Sequence, residues 1–167
     1  PWAFSDMNIQ YVTIPSTVTN IEYLAFQNSN IERVIFDTET VTIGDSAFRD
    51  NRLTFLVLDT ATIGKSAFQD NQIQDITLGN VNSIGTDAFK GNTIKTFTIG
   101  SASQSLLYDV GLHIEELFIS EGVESIGNFA FYGNYIKRVY LPSTLKHIGE
   151  SAFQSNLITE LTIPDSV

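Results

Sequence analysis

The chain has 167 residues, a formal charge of −10 and no cysteine. Its length is that of one domain, and 43% hydrophobic content is ordinary for a folded protein. The missing cysteines exclude disulfide staples, thiolate zinc sites and cysteine nucleophiles, and 9 Lys and Arg against 19 Asp and Glu argue against nucleic acid as a partner. The acidity reads as a solubility feature. There is no run of 18 apolar residues, so no membrane insertion is expected from this segment. No basic-then-apolar signal segment opens the chain, and its start at Pro1 and Trp2 suggests a trimmed piece.

The first element is a turn on Ala3-Phe4, followed by Ile9 and then by Val12 and Ile14, whose alternation predicts a strand with one buried face. The same pattern returns at Ala25-Phe26 with Ile31, Val34 and Phe36, and at Ala47-Phe48 with Leu53, Leu56 and Leu58. Ala67-Phe68 then leads to Ile73, Ile76 and Leu78, and Ala88-Phe89 to Ile94, Phe97 and Ile99. A worn copy centred on Val110-Gly111 keeps Ile114, Leu117 and Ile119 two residues early. Two good copies follow, Ala130-Phe131 with Ile136, Val139 and Leu141, and Ala152-Phe153 with Ile158, Leu161 and Ile163. The Ala positions are 22, 22, 20, 21, 22, 20 and 22 residues apart, which predicts about eight coils of 20–22 residues.

After each strand comes a stop. Three copies use proline, which has no N–H for a ladder, and others use Asp37, Asp59, Gly79 or Gly100. The chain then reaches Ile21, Ile43, Ile63, Ile84, Ile126 or Ile148, each four and five residues before an Ala-Phe pair. That spacing predicts a second short extended piece and a single helical turn. An asparagine precedes most strands, at Asn8, Asn30, Asn51, Asn71, Asn92, Asn134 and Asn156. Asn tolerates left-handed backbone angles and satisfies groups freed at a bend, so the column reads as turn chemistry. The glycines form neither phosphate-cradling pattern, GxGxxG or GxxxxGK.

One coil cannot bury its own Phe, Ile and Leu, whereas stacked coils can, with parallel strands hydrogen-bonded from coil to coil. A winding that never changes sense is expected to be right-handed. The signature IGxxAFxxNxIxx(apolar)xI(P)xxV resembles the BspA-type leucine-rich repeat of bacterial and protist cell-surface proteins, and the resemblance covers residues 1–167 as a single solenoid. It implies an α/β horseshoe-like repeat solenoid used in adhesion, host-protein binding or cell–cell contact, with no catalytic residues and no cofactor. The departures are Glu22, where glycine is usual, and a degenerate coil near 101–119. Both ends are cut in mid-repeat and show no polar cap, so a fragment of a longer array, or one covered by another chain, is expected.

Reactive constellations are sparse. His113 and His147 lack a third ligand at a suitable spacing and read as surface or turn residues, not metal ligands. The serines lack the Gly-x-Ser-x-Gly elbow. Glu115, Glu116, Glu121 and Glu124 read as solvated charge, with calcium an open alternative that a calcium-dependent melting shift would test. The informative residues are those seven and nine after each Phe, which face outward on the side expected to be concave. Most are threonines or charges. Two groups are not: Arg33, Ile35, Phe55 and Val57, and Phe118, Arg138 and Tyr140. Exposed apolar residues beside arginine suit an interface, although cross-strand pairing also enriches sheets in such residues. The expected function is a non-enzymatic, extracellular or cell-surface adhesion module binding a partner protein through these residues. A structural spacer, or a glycan-binding surface built on Tyr132, Tyr135 and Tyr140, is the alternative.

Overall fold

The computed structural model describes residues 1–100 and 112–167. The expected degenerate coil therefore falls partly outside the described residues. No described helix is long and apolar enough to cross a membrane. The elements are β1 (Tyr11–Ile14), β2 (Asn20–Ile21), β3 (Arg33–Phe36), β4 (Thr40–Ile43), β5 (Phe55–Ile63), β6 (Asp75–Ile84), β7 (Thr96–Ile99), β8 (Glu116–Ile119), β9 (Ser125–Ile126), β10 (Arg138–Tyr140) and β11 (His147–Ile148).

Every pairing is parallel, as a stack of like coils requires. On the face of the first ladder, β1 pairs with β3 as a separate two-stranded sheet, β3 packs beside β5, and the start of β5 pairs on through β6, β7, β8 and β10. Its register follows the repeat residue for residue: Tyr11 faces Arg33, and Phe55, Asp75, Thr96, Glu116 and Arg138 stand in one row. The second extended piece is also present, as β2, β4 and the ends of β5 and β6, with β9 and β11 paired separately. The shorter spacing of coils three and four leaves no room for a break, so β5 and β6 run through both ladders.

Between the ladders the expected helical turn is replaced by something else. In each Ala-Phe turn the residues two before and two after the Phe have positive φ: Ser46 and Asp50 around Phe48, Ser66 and Asp70 around Phe68, Phe129 and Gly133 around Phe131. A right-handed helical turn cannot contain them. Left-handed residues instead make alternate amides point in different directions. Ala47 N donates back to Gly44 O at 3.2 Å, whereas Ser46, Phe48 and Asp50 donate to Lys65, Ala67 and Gln69 of the next coil at 2.8–3.0 Å. The turn thus forms a third row of coil-to-coil hydrogen bonds, which one helical turn could not supply.

This row fixes the glycine after each Ile. A Cβ on Gly85 would lie 2.4 Å from the backbone N of Lys65, and one on Gly44 would lie 2.8 Å from that of Tyr23.

The core is one continuous cluster from Ile14 to Ala152. Phe4, Phe26, Phe48, Phe68 and Phe89 stack ring on ring with centroids 5.1–5.8 Å apart, and Phe131 stacks on Phe153 at 5.4 Å. Phe48, Phe68 and Phe89 are almost fully buried, while Phe4, with a neighbour on one side only, is exposed. Each interior ring contributes about 1.5–3 kcal/mol by burial.

The asparagines close the inner corner. Asn51, Asn71, Asn92 and Asn156 each donate from Nδ2 to the carbonyl of their own Phe and of the previous coil's Phe, at 2.8–3.1 Å. Their Oδ1 atoms accept from Ile31, Leu53, Ile73 and Ile136 N in the coil before. The amide column is therefore structural. Asn30 departs from it, because the corresponding residue three after Phe26 is Ser29, whose Oγ donates to Phe4 O. Residues 158–163, expected as a last strand, are unpaired, and a groove of about 320 Å³ lies between them and β10.

Candidate interaction face

The outward residues of the first ladder form two rows. One reads Tyr11, Arg33, Phe55, Asp75, Thr96, Glu116 and Arg138, the other Thr13, Ile35, Val57, Thr77, Thr98, Phe118 and Tyr140. The period of two places them there, because Val34, Leu56, Ile76, Phe97, Leu117 and Val139 occupy the buried face between them. All seven residues singled out from the sequence stand on this face, Arg33, Ile35, Phe55 and Val57 toward one end and Phe118, Arg138 and Tyr140 toward the other. Asp75, Thr77, Thr96 and Thr98 lie between, a polar gap of roughly 15 Å from Phe55 to Glu116 at the parallel-strand spacing.

In the first cluster Ile35, Phe55 and Val57 are 40%, 36% and 59% exposed. The Arg33 guanidinium carbon lies 5.6 Å from the centroid of the Phe55 ring, within cation–π range. Behind it a groove of about 340 Å³ is lined by Tyr11, Glu32, Arg33, Arg52, Thr54, Phe55 and Gln72. Arg52 was not singled out from the sequence. Its signal is the exposed position between buried Asn51 and Leu53, where alternation continues upstream of the strand.

The second cluster is internally satisfied. Phe118 and Tyr140 stack with centroids 4.4 Å apart and planes 6° apart. Arg138 Nε donates to Glu116 Oε1 at 2.9 Å, and the Tyr140 hydroxyl donates to the same oxygen at 3.4 Å. The hydrogen bond and charge of Glu116 raise the pKa of Arg138. The three tyrosines considered for a glycan do not form one platform: Tyr140 is on the strand, Tyr135 stacks on His113 at 4.5 Å, and Tyr132 packs edge-on to Phe129 in the Ala-Phe turn.

The carboxylates near the worn coil have specific partners. Glu115 meets Lys137 at 3.3 Å and Glu124 meets Lys146 at 2.8 Å, each 22 residues on. Glu121 accepts from the Ser143 backbone N–H and hydroxyl, both at 3.0 Å. The Ser143 backbone N–H, chiefly, lowers the pKa of Glu121, and the Lys146 hydrogen bond and charge lower that of Glu124. Among the described residues no group of three or more His, Asp or Glu is arranged to hold a metal ion.

No curated protein matches this chain. Among solved structures it is similar to "The Crystal structure of Pneumococcal vaccine antigen PcpA" at 18% identity and a TM-score of 0.41, covering 95% of this chain and 63% of that one. A family model described as "BspA type Leucine rich repeat region" matches six copies over residues 1–110 and 104–167. The parallel coils, the Phe stack and the Ile-Gly/Ala-Phe turns are thus those of the BspA-type leucine-rich repeat family, to which this chain belongs.

Proposed function

We propose that this chain is a non-enzymatic recognition segment of a cell-surface or secreted protein and that it binds a partner protein on the outward strand face. The observation that carries this reading is the contrast within one ladder. Ile35, Phe55 and Val57 expose apolar surface on a face whose middle coils carry Asp75, Thr77, Thr96 and Thr98. A ladder needs only β-formers there, and threonine supplies that without a hydrophobic penalty. Exposed aliphatic and aromatic residues beside arginine suit a protein interface. What supports the surface location is the resemblance of the repeat signature to that of bacterial and protist cell-surface proteins, alongside membership of the BspA-type family. Alanine substitution of Phe55 and, separately, of Tyr140 tests the reading by pull-down from host-cell and bacterial surface extracts. Loss of a captured protein in either folded variant supports it, and capture unchanged in both removes it.

A further inference from the structure

We propose that the first cluster receives an acidic, apolar-rich segment of the partner protein, with Arg33 and Arg52 holding its carboxylates. This rests on the protein-binding reading above and adds the chemistry that the partner must carry.

The two arginine-bearing clusters differ in one respect that decides the matter. Arg138 has Glu116 directly opposite in register and is neutralised by it. Arg33 has Tyr11 on one side of its row and Phe55 on the other. The nearest carboxylate of that row, Asp75, is two coils away, about 10 Å at the parallel-strand spacing. Of the nine Lys and Arg, Arg49, Lys90, Lys137, Arg138 and Lys146 have carboxylates within 4.0 Å among the described residues, whereas Arg33, Arg52, Lys65 and Lys95 do not, and of these four only Arg33 and Arg52 share a groove. Both line one groove, in which Glu32 is the sole carboxylate and forms no ion pair with either.

A chain of charge −10 thus leaves two guanidinium groups uncommitted at one spot, next to the exposed Ile35 and Val57. The Arg33 guanidinium carbon lies over the Phe55 ring, a contact that uses none of the N–H donors an approaching carboxylate would take. Ile35 and Val57, the next outward residues along β3 and β5, supply an apolar floor for a side chain flanking that carboxylate. The bulk charge of the protein favours cationic ligands, so a local preference for acid is a sharp expectation.

The test uses paired immobilised peptides of identical apolar sequence, one set with Glu and the other with Lys between the apolar residues, at physiological salt to screen the bulk charge. Wild-type protein is expected to retain Glu peptides over their Lys counterparts by at least about tenfold, a magnitude typical of a well-placed charge pair. Arg33→Glu and Arg52→Glu abolish or reverse that preference, and Arg138→Glu leaves it intact, with circular dichroism showing all variants folded. No Glu preference in the wild type, an undiminished preference in Arg33→Glu, or an equal loss in Arg138→Glu overturns the inference. If Phe55→Ala loses the extract-captured protein while Arg33→Glu retains it, the protein-binding reading stands and this inference falls. If no variant of either cluster changes capture, the reading itself falls.

Discussion

The side-chain amide of Asn71 donates to the carbonyl oxygen of Phe48, 23 residues earlier and one coil away, at 2.9 Å. The same Asn also donates to Phe68 O and accepts from Leu53 N. Asn71→Ala therefore leaves the buried Leu53 N–H without its acceptor, at about 1–3 kcal/mol, and removes one of the two amide donors on each of Phe48 O and Phe68 O, which keep Asn51 and Asn92. We expect a loss of roughly 3 kcal/mol in urea denaturation. Asn8→Ala, which removes one 3.4 Å contact at an exposed site, should change stability by less than about 0.5 kcal/mol.

The glycines separate into two kinds. A methyl group on Gly85 collides with the Lys65 backbone at 2.4 Å, next to the coil-to-coil bond from Gly85 N to Ile63 O at 2.8 Å. Gly122, at φ +93°, has nothing within 4 Å of an added Cβ. Gly85→Ala should cost more than about 3 kcal/mol or prevent folding, whereas Gly122→Ala should cost only about 1 kcal/mol of backbone strain. Thermal melting of the two variants checks the order.

Phe68 is buried between Phe48 and Phe89 and touches both ring faces. Phe68→Ala should cost about 3–5 kcal/mol, and Phe68→Leu distinctly less, because Leu refills most of the cavity without restoring the stack. Phe4→Ala, at an exposed end of the same column, should cost far less. Equal losses at both positions would contradict a column whose interior rings do the stabilising.

The pH dependence follows from Glu121 and Glu124, whose folded pKa values lie below the ordinary 4.5. Between the folded values and 4.5 the unfolded chain binds more protons than the folded one, so lowering the pH there favours unfolding. Their contribution is complete above the ordinary value and is lost as pH falls through the folded values. The double variant Glu121→Gln, Glu124→Gln should melt lower than wild type at neutral pH, and the gap should narrow as the pH falls below 4.5 and through the folded values. A gap that persists in acid would assign the stabilisation to packing.

Residue spacing made most of the fold legible. The register of Tyr11 with Arg33, and of Phe55 with Asp75 and Thr96, follows from counting seven residues after each Phe. The non-helical turn was hidden because its left-handed positions include Leu24 and Phe129, residues that do not advertise such angles. The bonds to the next coil hold them there, and a single-coil reading cannot contain those bonds. Ser29 was hidden for a related reason: a hydroxyl replaces an amide at the corner while an asparagine stands one residue away. Pairs such as Glu116 with Arg138 could have been found from their separation of 22 residues, which is one coil. The freedom of Arg33 could not, since it depends on which neighbours fall within reach.

The rows of amides in the Ala-Phe turns join successive coils along the stacking direction. Tension applied between the two ends loads those bonds along their length, so the rows open in succession and are not sheared together. Each coil of 20–22 residues that peels away adds roughly 70 Å of extended chain. Under pull, such a stack yields as a tether that lengthens in equal increments, absorbing work at each step while the remaining coils stay closed.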